Sequence, residues 1–371
     1  RTDVLEKSYT LWYTYHEVYF FMLIIHTADL HLGASPDAGE KWGKNRKQEL
    51  WDSFERLIGV VEMQQADLLL IAGDVFHRPP LLRELREIND RFASLSKTKV
   101  VLMAGNHDYI GTNSFYKEFS WAKNVYFFEE EKISAVQFPE LKVDVYGLSY
   151  HRKEIRERLY DEARPEDNGY YHILLAHGGD EKHIPYTKEK LAKNGFDYIA
   201  FGHIHKPGML LPGMGVMAGS LEPTDHTCLG THGFVRVEAK EGRNQISLVP
   251  FAKREYKTLT LEADIGDTMG SISRRLGEKV TELGRENVYD VTISGKRHAS
   301  LEIMEEKLKS VGNIRVIFDK TEQYYDYERL EKDYKGCLLQ RYISSFAGQE
   351  KPLEKKALSY GVEAILEALK P

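Results

Sequence analysis

Val100-Val101-Leu102-Met103-Ala104-Gly105-Asn106-His107-Asp108 joins an apolar run to a glycine and three polar residues. Val100 to Ala104 reads as a short buried strand. Parallel α/β sheets place their chemistry at the C-terminal ends of such strands. Gly-Asn-His-Asp is equally good turn chemistry, because Gly and Asn favour turn geometry. The functional weight of Gly105 to Asp108 therefore depends on partners elsewhere in the chain.

On the N-terminal side, strands alternate with amphipathic helices. Leu23 to Thr27 is a strand ending at Ala28-Asp29-Leu30-His31, and Asp67 to Ala72 is a strand ending at Gly73-Asp74. Between them Lys44 to Gln65 has helical periodicity, with Leu50, Phe54, Leu57, Ile58 and Val61 on one face. Leu81 to Leu95 is a second helix, leading into the strand at Lys99 to Met103. This spacing suits right-handed βαβ crossovers. On the C-terminal side, Val125–Phe128, Ile133–Phe138 and Val143–Leu148 read as a meander in a second sheet. Tyr171 to Ala176 ends at His177-Gly178-Gly179, and Tyr198 to Phe201 ends at Gly202-His203-Ile204-His205. Strands at Gly215–Ala218, Phe234–Glu238 and Ile246–Val249 follow. Beyond Phe251 the polar strand-end motifs stop. Strands at Tyr256–Glu262, Val288–Ser294 and Ile314–Phe318 are separated by helices near Met269–Leu283 and Leu301–Val311. Two more helices are expected, at Lys335–Phe346 and Leu353–Leu369.

The 371 residues exceed what one core usually holds, so two domains are expected. With 42% hydrophobic and 29% charged residues the composition is that of an ordinary globular protein. A net charge of -6 advertises no polyanion-binding surface, although a local basic stripe or bound cations can reverse the local field. Cys228 and Cys337 are too few for a disulfide framework or a cysteine zinc site, and fit a reducing, cytoplasmic setting. No run approaches the ~18 apolar residues of a membrane span. Arg1 to Phe21 is rich in aromatic residues and lacks a signal-peptide pattern. The compact part is expected to begin at Met22, with the extension as an added aromatic contact segment in the alternative reading.

Five strand ends carry groups competent to bind metal: Asp29 with His31, Asp74, Asn106 with His107, His177, and His203 with His205. A lone strand-end histidine more often serves a core or surface hydrogen bond. Five such ends converge on one edge if the strands are parallel. Carboxylate, imidazole and amide oxygen suit Mn²⁺, Fe²⁺ or Zn²⁺, and no thiolate takes part. The set divides between two ions, with Asp29, His31, Asp74 and His205 on one and Asp74, Asn106, His177 and His203 on the other. Asp74 is the expected bridge between ions ~3.5–4 Å apart. His107 is left to face substrate, with Asp108 expected to hold its imidazole.

The series Asp29-Leu-His-Leu-Gly33, Gly73-Asp-Val-Phe-His-Arg78, Gly105-Asn-His-Asp108, His177-Gly-Gly179 and Gly202-His-Ile-His205 resembles the calcineurin-like metallophosphoesterase superfamily. The resemblance implies an α/β fold, a four-layer αββα sandwich with two metals bridged by Asp74, and the same ligand assignment. Within the superfamily, Gly73 to Pro80 and Gly219-Ser-Leu-Glu-Pro223 resemble the DNA-repair exonucleases of the SbcD type, including their YhaO-like relatives. His77 matches an additional histidine of that branch. The resemblance covers Met22 to about Phe251. The expected organisation is an extension at 1–21, a nuclease domain at 22–252 and a smaller C-terminal α+β domain at 253–371 that caps the first or docks a partner.

The expectation is a phosphodiesterase, foremost a DNA exonuclease or endonuclease in repair, using two divalent ions. Mn²⁺ is the leading choice and Mg²⁺, Fe²⁺ and Zn²⁺ are alternatives. The catalytic candidates are His107, His77 and Asp108, and the substrate contacts are Arg78, His151 and Arg152. Lys41, Lys44, Arg46 and Lys47, with Arg152, Lys153, Arg156 and Arg158, form either a solvated face or a phosphate track. The partners implied are DNA, an SbcC-like coiled-coil ABC-type ATPase and a second copy of the chain. A small-molecule phosphodiesterase or phosphatase is the alternative. A binding scaffold without catalysis is disfavoured, because every motif residue is present. His26 and His172 are expected to be structural, and His183, His226 and His232 flank the motif loops.

Overall fold

Strands that are apolar on both faces need a layer on each side, and the structure, a computed structural model, supplies both. It describes residues 21–240, 243–349 and 351–369, so the extension expected at 1–21 lies outside it except for Phe21. The chain divides into two units, the first comprising residues up to 38, 43–224 and 231–252, the second 39–42, 225–230 and 253 onward.

The first unit contains, in order, β1 (Phe21–Thr27), α1 (Arg46–Met63), β2 (Leu68–Ile71), α2 (Leu82–Ala93), β3 (Lys99–Met103), β4 (Val125–Phe128), β5 (Ser134–Phe138) and β6 (Val143–Gly147). It continues with β7 (Tyr171–His177), α3 (Lys188–Leu191), β8 (Tyr198–Gly202), β9 (Gly208–Leu211), β10 (Gly215–Met217), β11 (Gly233–Lys240) and β12 (Arg243–Pro250). They form two six-stranded sheets, β12-β11-β1-β2-β3-β4 and β5-β6-β7-β8-β10-β9. β1 to β4 run parallel in the first sheet, and β6, β7, β8 and β10 in the second.

Alternation along each strand explains the uninterrupted apolar runs. On β2 and β3, Leu69, Ile71, Val100 and Leu102 pack against α1 and α2 through Leu50, Phe54, Leu57, Leu85 and Ile88. Leu68, Leu70, Val101 and Met103 face the other way, onto Val143, Val145, Ile173, Leu175 and Ala200 of the second sheet. The outer face of that sheet is covered by loops, α3 and a 3-10 turn at Leu159–Glu162, through Tyr160, Ile184, Leu191 and Phe196. The architecture is thus the expected metallophosphoesterase sandwich, with a thin layer on one side.

One strand assignment changes. Val125–Phe128 does not start the second sheet; it pairs parallel with β3 at the edge of the first. Phe127 joins the helix-side core and Phe128 the inter-sheet core, so both faces of β4 are buried, as in a parallel sheet.

The second unit carries β13 (Tyr256–Ala263), α4 (Met269–Leu283), β14 (Val288–His298), α5 (Glu305–Lys309), β15 (Asn313–Asp319) and β16 (Glu322–Tyr324). Helices α6 (Tyr327–Asp333), α7 (Leu338–Ser345) and α8 (Pro352–Ala368) follow. β13, β14 and β15 pair in parallel, so α4 and α5 lie on βαβ crossovers. Thr268 caps α4, its hydroxyl accepting from Ser271 N. Among the described residues, no helix is long and apolar enough to cross a membrane.

Candidate metal centre

The parallel strands of both sheets end on the same side, and their first loop residues leave the strand in strained backbone. Asp29, His31, Asp74 and His203 all have positive φ, at 50°, 44°, 50° and 98°. Such conformations cost ~1–3 kcal/mol each without glycine and persist only where the surroundings over-determine them. Gly105 is required by close approach, since a Cβ there would lie 2.2 Å from Asp74 Oδ1 and 2.8 Å from His177 Nε2.

Two sets of donor atoms converge. In the first, His31 Nε2 lies 2.9 Å from His205 Nε2, and Asp29 Oδ1 lies 4.0 and 3.9 Å from them. Asp29 Oδ1 is buried and, among the described residues, accepts no hydrogen bond. In the second, Asn106 Oδ1 lies 2.9 Å from both His177 Nε2 and His203 Nδ1. Asp74 Oδ2 stands between the sets, 3.9 Å from His31 Nε2 and 3.5 Å from His177 Nε2. The remaining carboxylate oxygens are anchored, Asp74 Oδ1 by His107 N at 2.9 Å and Asp29 Oδ2 by His203 N at 2.9 Å.

The far ring nitrogens show that lone pairs face inward. His177 Nδ1 lies 2.8 Å from the Ala72 carbonyl and His203 Nε2 lies 2.7 Å from Asp180 Oδ2. Both partners only accept, so those nitrogens donate. In neutral rings this leaves His177 Nε2 and His203 Nδ1 as lone pairs, both aimed at the Asn106 oxygen. His205 Nδ1 is 3.1 Å from Thr224 Oγ1. Metal-binding histidines are characteristically held this way, with the outer N–H on a carbonyl or carboxylate. In their neutral forms these rings aim lone pairs at one point, beside a carboxylate oxygen with no hydrogen bond among the described residues, an arrangement that fits divalent cations.

Electrostatics agree. Burial alone would raise Asp74, but His177, His31 and His107 outweigh it and hold the carboxyl well below its usual range. Burial and then His177 push His203 down to about 4, against the pull of Asp180. Burial opposes charge on His177 too, but Asp74 and Asp29 prevail and hold it above its ordinary value, so without an ion Nε2 retains a proton that a bound cation would displace. An anionic carboxylate among buried imidazoles draws in positive charge, as a cation site must.

His107 and His77 stand at the open side of the cluster. Their rings stack with centroids 5.2 Å apart, and the His107 ring lies 4.8 Å from that of His31. The expected Asp108–His107 pairing is not found. Asp108 Oδ1 accepts from Gly105 N at 2.7 Å, and Oδ2 from Phe76 N at 3.2 Å and the Tyr116 hydroxyl at 2.9 Å. Fully buried, Asp108 ties the loop after β3 to the loop after β2. His107 Nδ1 instead lies 3.3 Å from the His77 carbonyl.

The expected substrate contacts are engaged elsewhere. Arg78 makes a two-pronged pair with Glu84, at 3.0 and 2.8 Å. His151 Nε2 is 2.6 Å from the Glu129 carbonyl, and Arg152 pairs with Glu131 and Glu157. The basic-track reading fails outright for Arg46, which is fully buried and pairs with Glu49, Glu222 and Asp37. Arg156 and Arg158 pair with Glu154 and Asp161. His26 meets Tyr198, as a structural histidine should. Asp180 and Thr224, which hold the outer nitrogens of His203 and His205, do not stand out in the sequence. The only available signal for Asp180 is its place three residues after His177.

Residues 22–207 match the family model for the calcineurin-like phosphoesterases, and the chain belongs to that family. Members are hydrolases that use divalent metal ions. Among curated proteins, it is 30% identical to the metallophosphoesterase YhaO of Bacillus subtilis over 52% of this chain and 52% of that one. It is also 30% identical to the DNA double-strand break repair protein Mre11 of Methanocaldococcus jannaschii, over 50% of this chain and 52% of that one. The chain spans about half the length of these two relatives. Identity to the SbcD component of the SbcCD nuclease of Staphylococcus epidermidis is 25%, over 84% of this chain and 90% of that one. Among solved structures, the calcineurin-like phosphoesterase YfkN of Bacillus subtilis aligns over 62% of this chain and 91% of that chain, with a TM-score of 0.37 and 14% identity.

Proposed function

We propose that this protein is a DNA nuclease of repair, hydrolysing phosphodiester bonds with two divalent ions. The observation that carries this is the convergence of two donor sets on either side of Asp74, with two stacked histidines at the open side. Asp29, His31, Asp74 and His205 would hold one ion, and Asp74, Asn106, His177 and His203 would hold the other. When bound, such a pair supplies Lewis-acid activation of the phosphoryl group and of the attacking water.

The chain's own residues do the rest. Asn106 and Asp74 are fixed by the loop that Asp108 anchors. His107 Nδ1 lies 3.3 Å from the His77 carbonyl and donates to it, so Nε2 faces the substrate; in the imidazolium form Nε2 would carry the second proton, pass it to the leaving sugar oxygen and leave the ring neutral. His77, stacked on it and exposed, positions the phosphate or the strand end. The names of the relatives support DNA as substrate and an SbcC-like subunit as partner; that this partner is a coiled-coil ATPase, and that a second copy of this chain joins it, are proposed from the resemblance of the motifs. Mn²⁺ is the proposed ion.

Labelled single- and double-stranded DNA, incubated with Mn²⁺ or Mg²⁺, tests the reading. The wild type should release nucleotides from duplex DNA. His107→Ala should lose about 10²–10⁴-fold in rate and keep its ions. Inert DNA alongside rapid turnover of bis-p-nitrophenyl phosphate would move the substrate to small phosphodiesters. Loss of ions in His107→Ala would make His107 a ligand.

A further inference from the structure

We infer that Asp180, held by His183, sets the tautomer of His203 and thereby governs loading of one of the two ion positions; this rests on the metal-centre reading above. Asp180 Oδ2 lies 2.7 Å from His203 Nε2 and 2.8 Å from His183 Nδ1. Asp180 Oδ1 accepts from Lys182 N at 2.8 Å and His183 N at 3.1 Å. The carboxylate is thus clamped by its own loop, with Oδ2 shared between His203 Nε2 and His183 Nδ1.

The loop itself is held tightly. Gly179 N donates to the His183 carbonyl at 2.7 Å, and Ile184 N to the Ile155 carbonyl at 2.7 Å. A Cβ on Gly178 would lie 2.3 Å from the His183 oxygen, so this crossing admits only glycine. Asp180 is therefore in place before any ion arrives.

A neutral imidazole carries one proton on two nitrogens. Asp180 is the hydrogen-bond partner of His203 Nε2, and a carboxylate accepts only. It fixes the proton on Nε2 and leaves Nδ1 as the lone pair facing Asn106 Oδ1. Asp180 is a positioning residue, because it acts through His203 and touches neither ion nor substrate. A third ion between Asp180, His183 and His203 is disfavoured, since a proton already fills the 2.7 Å gap between Asp180 and His203.

The two obvious substitutions separate tautomer control from a structural role. Asparagine has one acceptor oxygen. The two backbone N–H groups of Lys182 and His183 claim it, which turns the amide N–H₂ toward His203 Nε2. That side chain selects the wrong tautomer and puts a proton on Nδ1. Alanine removes the preference without reversing it. Affinity at one position should thus fall in the order wild type, Asp180→Ala, Asp180→Asn, with a total loss of about 10–100-fold, while the second ion is little affected. A structural role alone predicts the opposite order, because asparagine conserves shape.

The test uses the full chain. Mn²⁺ titration followed by electron paramagnetic resonance gives stoichiometry and affinities. Long-range ¹H–¹⁵N correlation on the ion-free, ¹⁵N-histidine-labelled protein reads the His203 tautomer directly. Expected are two Mn²⁺ in the wild type with His203 protonated at Nε2, and in Asp180→Asn a weakened ion with the proton moved to Nδ1. If Asp180→Ala does not fold, the isosteric Asp180→Asn with the tautomer readout still decides. Unchanged tautomer and affinity in Asp180→Asn overturns the inference alone. A third ion whose binding needs Asp180 and His183 overturns it too. A wild type that binds no Mn²⁺ overturns both it and the metal-centre reading.

Discussion

Replacing Asp108 with alanine should unfold more than it disables. The side chain is fully buried and accepts three hydrogen bonds, from Gly105 N, Phe76 N and the Tyr116 hydroxyl. Asp108→Ala strands these three donors away from water. Each unpaired buried donor costs about 1–3 kcal/mol. With partial relaxation the total is about 4 kcal/mol, against a domain stability of ~5–15 kcal/mol. In urea, with a slope of about 2 kcal/mol per molar, the midpoint of the first unit's transition should fall by about 2 M. Asp108→Asn should lose less, because it conserves one acceptor. In addition, burial and nearby Asp74 hold the Asp108 carboxyl well above the usual range, so a neutral side chain is partly tolerated. A dyad role for Asp108 with His107 makes the contrary prediction, a large drop in kcat at an unchanged midpoint. That result would refute the loop-anchor assignment.

Two further perturbations follow from the geometry. Gly105→Ala puts a methyl 2.2 Å from Asp74 Oδ1, so Asp74 must retreat by about 1 Å, and a misplacement of this size costs about 10²-fold in turnover. Turnover within threefold of wild type would show that the loop yields without cost to the site. His26 is buried against Tyr198, and burial pushes its imidazole from 6.5 down to about 3. Only the unfolded chain then takes up the proton between those values, so this stability is complete above pH 6.5 and declines as pH falls toward 3. The loss is about 3 kcal/mol by pH 4.5, at 1.36 kcal/mol per pKa unit. His26→Gln, compared with wild type by urea unfolding at pH 7 and pH 4.5, should show the shallower decline; parallel declines would count against it.

Much of the first unit was legible because its strands are buried on both faces. Leu68 to Ile71 and Val100 to Met103 are unbroken apolar runs, and each ends in a glycine and a polar residue. The seven candidate ligands were legible for the same reason, since they sit at strand ends. What sequence could not give is which way a ring or carboxylate turns once the chain is folded. Asp108 stands next to His107 yet points back at Gly105 and Phe76, because a tight loop reverses direction within two residues. Asp180 and Thr224 matter only through the outer nitrogens of His203 and His205, a relation that spacing does not encode. Arg46 reads as part of a basic surface stretch, but Glu49, Glu222 and Asp37 bring it fully inside. The edge strand β9 is apolar but only four residues long and half exposed, and the short β16 and the helix α6 carry too few apolar residues to stand out.

The central claim is that Asp74 is shared by two ions. Crystals of the wild-type protein grown with Mn²⁺ and measured at the manganese absorption edge test it directly. Two anomalous peaks are expected ~3.5–4 Å apart, one beside Asp29, His31 and His205, the other beside Asn106, His177 and His203, both in contact with Asp74. A single peak, or two peaks of which either lies out of reach of the Asp74 carboxylate, would contradict it.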